Sequence, residues 1–160
     1  FVSRRPKARS APATRDEADV VEPEMAEPAA HGACLCGEVS FSVVGELREV
    51  IACHCGQCRR TSGHFWASTA APRAAVHFEK DATLRWFQSS EKAARGFCAK
   101  CGASLFWSHS DRPTLSIAAG ALEVPTGLKM GGHIFFADAS DYYRIHPDEP
   151  VTAGSSVEVS

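Results

Sequence analysis

Seven cysteines, all between residues 34 and 101, are the side chains of this sequence best suited to chemistry. They form three groups: Cys34-x-Cys36, Cys53-x-Cys55-x-x-Cys58 and Cys98-x-x-Cys101. A disulfide framework suits them poorly. The count is odd, residues 1–30 hold no apolar stretch of the secretory kind, and cysteines one or two positions apart bridge with difficulty. Clustered thiols of this spacing point instead to thiolate ligands for zinc in a reducing compartment.

The two short pairs make one complete set. Cys34, Cys36, Cys98 and Cys101 supply four thiolates, and each pair is followed by a glycine, Gly37 and Gly102, that lets the chain turn its N–H groups toward sulfur. A four-thiolate site has no open position, so its expected role is structural. The 61 residues between the pairs (37–97) far exceed the roughly 15–20 of a zinc ribbon, so the ion would act as a clasp across the domain.

Cys53, Cys55 and Cys58 remain. Three protein ligands with a free fourth position is the arrangement of catalytic zinc. The same three could belong to a second closed site completed by a distant histidine, or stay reduced without metal. If 53–55 is extended, Cys53 and Cys55 share one face and His54 points to the other, which makes His54 a bystander.

These groups need a scaffold of strands. Val39, Phe41 and Val43 alternate with serines, and similar Val-, Ile-, Phe-, Trp- and Thr-rich runs recur at 49–55, 64–70, 75–79, 83–88, 104–109, 114–119 and 132–137. The expectation is an all-β domain of mostly antiparallel sheets, with one helical turn at 56–62. At 160 residues, 44% hydrophobic and 22% charged, the chain suits one soluble globular domain. A net charge of −2 gives no reason to expect a nucleic-acid partner, and no apolar run is long enough to span a membrane. Residues 1–15 carry only basic charge and 16–28 only acidic charge, so residues 1–30 are expected to be a disordered or non-native extension, with Met25 as a natural start. The domain is expected over 31–150 and a frayed tail over 151–160, its loosening beginning near Pro147.

The motifs Gly32-x-Cys-x-Cys-Gly-x-Val-x-Phe41, Cys53-His-Cys-x-x-Cys-Arg-Arg-x-Ser-Gly63 and Phe97-Cys-x-x-Cys-Gly-x-x-Leu105 resemble the glutathione-dependent formaldehyde-activating family, which includes the centromere-protein-V-like proteins. His133-Ile-Phe135 and Asp141-Tyr-Tyr143 resemble its C-terminal segment. The resemblance implies a small β-tent fold and two Zn²⁺ ions. Cys34, Cys36, Cys98 and Cys101 would hold the structural ion, and Cys53, Cys55 and Cys58 a more labile catalytic one. It also implies a cytoplasmic carbon–sulfur lyase that condenses formaldehyde with glutathione, or acts on a related thiol adduct. Methionine sulfoxide reductases share that fold but need a late reactive cysteine, and nothing after Cys101 supplies one.

Arg59 and Arg60 could grip a substrate carboxylate or pair with a local acid. His133 could line a pocket or serve as a hydrogen-bonded packing residue. Arg85 and Arg95 form no basic patch. The alternative to an enzyme is a non-catalytic module in which both zincs are structural.

Overall fold

The computed structural model describes residues 27–155. Ten strands run in chain order: β1 Ala30–Ala33, β2 Ser40–Val43, β3 Val50–Cys53, β4 Trp66–Pro72, β5 Val76–Lys80, β6 Leu84–Gln88, β7 Ala93–Cys98, β8 Ser104–His109, β9 Thr114–Ala118 and β10 Met130–Ile134. One α-helix, α1 (Gly56–Ser62), follows β3. The domain is all-β, as the sequence pattern implies.

The strands form a small sheet, β1-β2-β5, and a larger one, β10-β3-β4-β9-β8-β7-β6. Between them lies the core, where Phe41 of the small sheet meets Phe106 of the large one edge to face with centroids 5.0 Å apart. Both rings are fully buried, and Val39, Val43, Leu105, Leu115 and Ile117 pack around them. Gly32 leaves room for the paired Phe41 ring and for the turn after β9, because a Cβ there would lie 2.5 Å from Phe41 Cζ and 2.9 Å from the Ala121 carbonyl oxygen.

Period-two alternation places Thr69, Ala71, Leu115 and Ile117 on the core face of the large sheet. The same rule turns Cys53, Trp66, Ser68, Ser116, Trp107 and Arg95 to its opposite face, where they line a cleft.

Four features depart from the sequence expectation. Strands β1 and β7 went unrecognised, because Ala-His-Gly-Ala and Ala-Ala-Arg-Gly-Phe-Cys are rich in residues that strands disfavour. Ala30, assigned to the extension, already belongs to β1, while residues 1–26 lie outside the described residues. Strand β10 pairs parallel to β3 and so breaks the antiparallel pattern. The expected fraying from Pro147 is also not what the chain does. Residues 150–154 run beside β10, with His133 N donating to the Pro150 carbonyl (2.8 Å), Thr152 N to that of His133 (2.9 Å) and Phe135 N to that of Gly154 (2.8 Å). The edge strand's open backbone groups need partners, and the tail supplies them. Residues 156–160 lie outside the described residues.

Candidate active site and metal centres

The turn after β1 and the turn between β7 and β8 bring Cys34, Cys36, Cys98 and Cys101 together, their sulfurs all within 4.8 Å of one another. Cys34 and Cys36 sulfurs are 3.5 Å apart, and those of Cys36 and Cys98 are 3.8 Å apart. A zinc tetrahedron with Zn–S bonds of about 2.3 Å has sulfur–sulfur edges of about 3.8 Å, so this set fits a zinc ion. The two turns are built alike. Gly37 (φ 73°) returns its N–H to the Cys34 carbonyl, and Gly102 (φ 76°) returns its own to that of Cys98. The left-handed φ makes glycine the fitting residue at both turns. Val39 N–H points at Cys34 Sγ (3.3 Å), and the Thr83 hydroxyl lies 3.3 Å from Cys98 Sγ and holds that thiol down to about 6. One turn belongs to the small sheet and the other to the large, so the cluster joins the two layers.

The second cluster stands on the outer face of the large sheet. Cys53 ends β3, Cys55 caps α1 and Cys58 lies in the first turn of that helix, with the three sulfurs within 4.8 Å. The Cys55 sulfur accepts the Cys58 N–H at 3.4 Å, which fixes the entry of the chain into the helix. Thiols this close hold their protons unequally. The Cys53 thiol, and after it the Arg95 charge, holds Cys58 down to about 6, while the shared bond and burial drive Cys53 above the ordinary thiol range. A divalent cation lets all three be thiolates together, and a three-sulfur donor set suits zinc.

This cluster forms one wall of a cleft of about 810 Å³, a size ordinary for a small-molecule site. Opposite Trp107 on β7 is Arg95, only 6% exposed, whose Nη2 donates to Cys58 Sγ at 3.6 Å and to Gln57 Oε1 at 3.3 Å. Its Nε and Nη1 are buried with no protein partner among the described residues. Arg48 and Arg112 also border the cleft. None of these three arginines was singled out from the sequence as a site residue. Only recognition of β7 as a strand, followed by its alternation, would have turned Arg95 toward the thiols.

The sequence candidates Arg59, Arg60 and His133 do not border the cleft. Arg60 is exposed and donates to the Gly56 carbonyl at 3.3 Å, and Arg59 keeps a buried Nε without a partner among the described residues. His133 is buried on β10, beside β3, and belongs to a chain of hydrogen bonds through His54. His133 Nε2 meets Glu149 at 2.8 Å, His54 Nε2 meets His133 Nδ1 at 2.8 Å, and His54 Nδ1 meets the Tyr143 hydroxyl. A carboxylate only accepts, so His133 donates to Glu149; in the arrangement with neutral rings, His54 then donates to His133 and Tyr143 to His54. Every group in the chain is satisfied with both rings neutral. Burial, then the neighbouring His133 and His64, lowers His54 to about 4. His54 therefore points away from the metal set, as strand alternation required, and anchors the C-terminal segment.

Two sheets joined by a four-sulfur cluster, with a separate three-sulfur cluster opening on a cleft, define an all-β protein with two cysteine clusters able to hold metal. The chain belongs to the glutathione-dependent formaldehyde-activating enzyme family, whose pattern matches residues 29–138. It is 28% identical over 85 residues to an uncharacterized lyase of Schizosaccharomyces pombe, a match covering 52% of this chain and 61% of that protein. It also resembles the crystal structure of a Rhodobacter sphaeroides protein at 25% identity and a TM-score of 0.51, over 59% of this chain and 88% of the other. No helix among the described residues is long and apolar enough to cross a membrane.

Proposed function

We propose that this protein is a zinc-dependent lyase of the carbon–sulfur type, acting on glutathione or a related thiol and its aldehyde adduct. Cys34, Cys36, Cys98 and Cys101 hold a structural ion, and Cys53, Cys55 and Cys58 hold the one at the reaction site. The observation that carries this reading is the exposure of a three-sulfur set to a cleft of about 810 Å³, beside a buried arginine with N–H groups to spare. Zinc bound there supplies a fourth position at which a substrate thiol loses its proton near neutral pH.

The chain's own residues do the rest. Three thiolates and one divalent ion carry a net charge of −1, which repels an incoming thiolate. Arg95, in contact with Cys58 Sγ, brings the local sum to zero and makes an anionic sulfur acceptable there. Trp66 and Trp107 give the cleft apolar walls that hold the reactants away from bulk water. In the synthetic direction the thiol sulfur bonds to the aldehyde carbon, the carbonyl π pair moves to oxygen, and the proton given up by the thiol ends on the new hydroxyl.

The test is exchange spectroscopy of ¹³C-formaldehyde with glutathione, with the zinc-loaded protein and its Cys55→Ser variant. The reading predicts faster interconversion with the wild type and none above background with the variant. Equal rates for both proteins would refute it.

A further inference from the structure

Among the described residues, three arginines border the cleft against a single carboxylate, that of Glu46. No Asp or Glu of the described residues lies within ion-pairing distance of Arg48, Arg95 or Arg112. The sheet register explains their grouping. Ala70 of β4 pairs with Ser116 of β9, Ser116 with Trp107 of β8, and Trp107 with Arg95 of β7, so these residues form one row across the strands. Arg48 joins the β4 end of this row, its backbone N–H bonded to the Ala70 carbonyl (3.0 Å) and its Nη2 to that of Ser68 (3.2 Å). Arg112 comes from the turn between β8 and β9, and its guanidinium lies over the Trp107 ring, 5.7 Å from the centroid. Neighbouring strands are about 4.8 Å apart, which keeps the whole row within the reach of one small molecule whose sulfur is at Cys58.

Arg95 is committed to the thiolates. Arg48 and Arg112 are not, and each has donors beyond the contacts just named. Burial, and after it the Arg112 charge, disfavours the charged form of Arg48. Two guanidinium groups facing one cavity, neither ion-paired to a described acid, suit a carboxylate, which planar arginine donors bind in a bidentate manner.

We propose that Arg48 and Arg112 form an anion subsite for a carboxylate of the thiol substrate, so that the cleft selects carboxylate-bearing thiols over neutral ones of the same size. This rests on the reading of the three-sulfur site as the place where the substrate sulfur binds. It assigns recognition to Arg48 and Arg112 and not to Arg59 and Arg60, which follow the third cysteine but lie off the cleft.

The experiment is calorimetric titration of the zinc-loaded full chain with three probes. These are glutathione, its diethyl ester (same thiol, no carboxylate charge) and S-methylglutathione (both carboxylates, no free thiol). The wild type should bind glutathione about 10-fold or more tightly than the ester, the scale of charge-assisted hydrogen bonds. Arg48→Met and Arg112→Met should each remove most of that preference and leave the affinity for the ester unchanged. Arg112→Lys should restore part of it. Arg112 is exposed, so its variants carry the test even if Arg48→Met does not fold. Equal binding of glutathione and ester by the wild type, or a parallel loss of both in the variants, would overturn the subsite. S-methylglutathione separates the two readings. If its affinity depends on Arg48 and Arg112, the subsite holds even should the free thiol add nothing, a result that would count only against sulfur binding at the metal. If its affinity is the same in wild type and variants, the subsite is refuted.

Discussion

Replacing Arg95 by methionine should weaken the reaction-site metal without weakening the fold. At 3.6 Å, unit charges on Arg95 and Cys58 attract by about 4–5 kcal/mol in an effective dielectric near 20. Desolvation of both groups offsets much of that, and charge-assisted hydrogen bonds contribute about 1.5–3 kcal/mol net. The variant should therefore hold zinc at Cys53, Cys55 and Cys58 about 10- to 150-fold more weakly, since each 1.4 kcal/mol is a factor of ten. Stability should move the other way. Nε and Nη1 of Arg95 are buried without protein partners, and methionine removes that desolvation cost while filling much of the volume. For the protein without the three-sulfur ion, whose own contribution to stability is then removed from the comparison, the melting temperature is expected to stay level or rise. The assay is zinc competition against a chromophoric chelator, in which the four-sulfur ion leaves in a separate, unchanged phase, run beside a thermal melt. Arg95→Lys, which keeps the charge but not the planar donors, should recover part of the affinity. A change under about threefold in the weaker phase, or a lower melting temperature with unchanged zinc affinity, would refute the reasoning.

Cys55→Ser should leave a folded chain with about one zinc, whereas Cys98→Ser should lose the joint between the sheets and unfold at a much lower denaturant concentration; metal analysis with urea titration distinguishes them. Gly32→Ala forces a Cβ against Phe41 and the Ala121 carbonyl and should cost about 1–3 kcal/mol by the same titration. Glu149→Ala strands the His133 N–H in a buried site and should destabilise by about 1–3 kcal/mol, with faster amide exchange in residues 150–154. His54 should remain neutral by ¹⁵N NMR down to about pH 4. Its folded pKa lies below the ordinary 6.5, so the unfolded chain binds the extra proton, and this contribution to stability is full above 6.5 and lost as pH falls toward 4.

The grouping of the thiols into two clusters that could hold metal was legible in the sequence because thiol spacing is a local property. Cys34/Cys36 and Cys98/Cys101 announce themselves as pairs, and the count of seven leaves a set of three. The bystander role of His54 followed from strand alternation alone. The second wall of the site was not legible. Arg95 sits in a strand of low β propensity, and Arg48 and Arg112 reach the cleft from loops, so their meeting depends on a strand register that no local pattern encodes. Arg59 and Arg60, which could grip a substrate or pair locally, follow Cys58 in sequence, but neither borders the cleft. The ordered tail was missed for a related reason. Its partner is the open edge of β10, which appears only once the sheet is assembled.

The central claim is that a substrate thiol completes the coordination of the three-cysteine ion. X-ray absorption at the zinc edge on the two-zinc protein tests it most directly. The account predicts an average of about 3.5 sulfurs per zinc for the protein alone, rising to about 4 when glutathione is added. An average that stays at about 3.5 with the ligand bound would contradict it, and so would a value of 4 before any thiol is present.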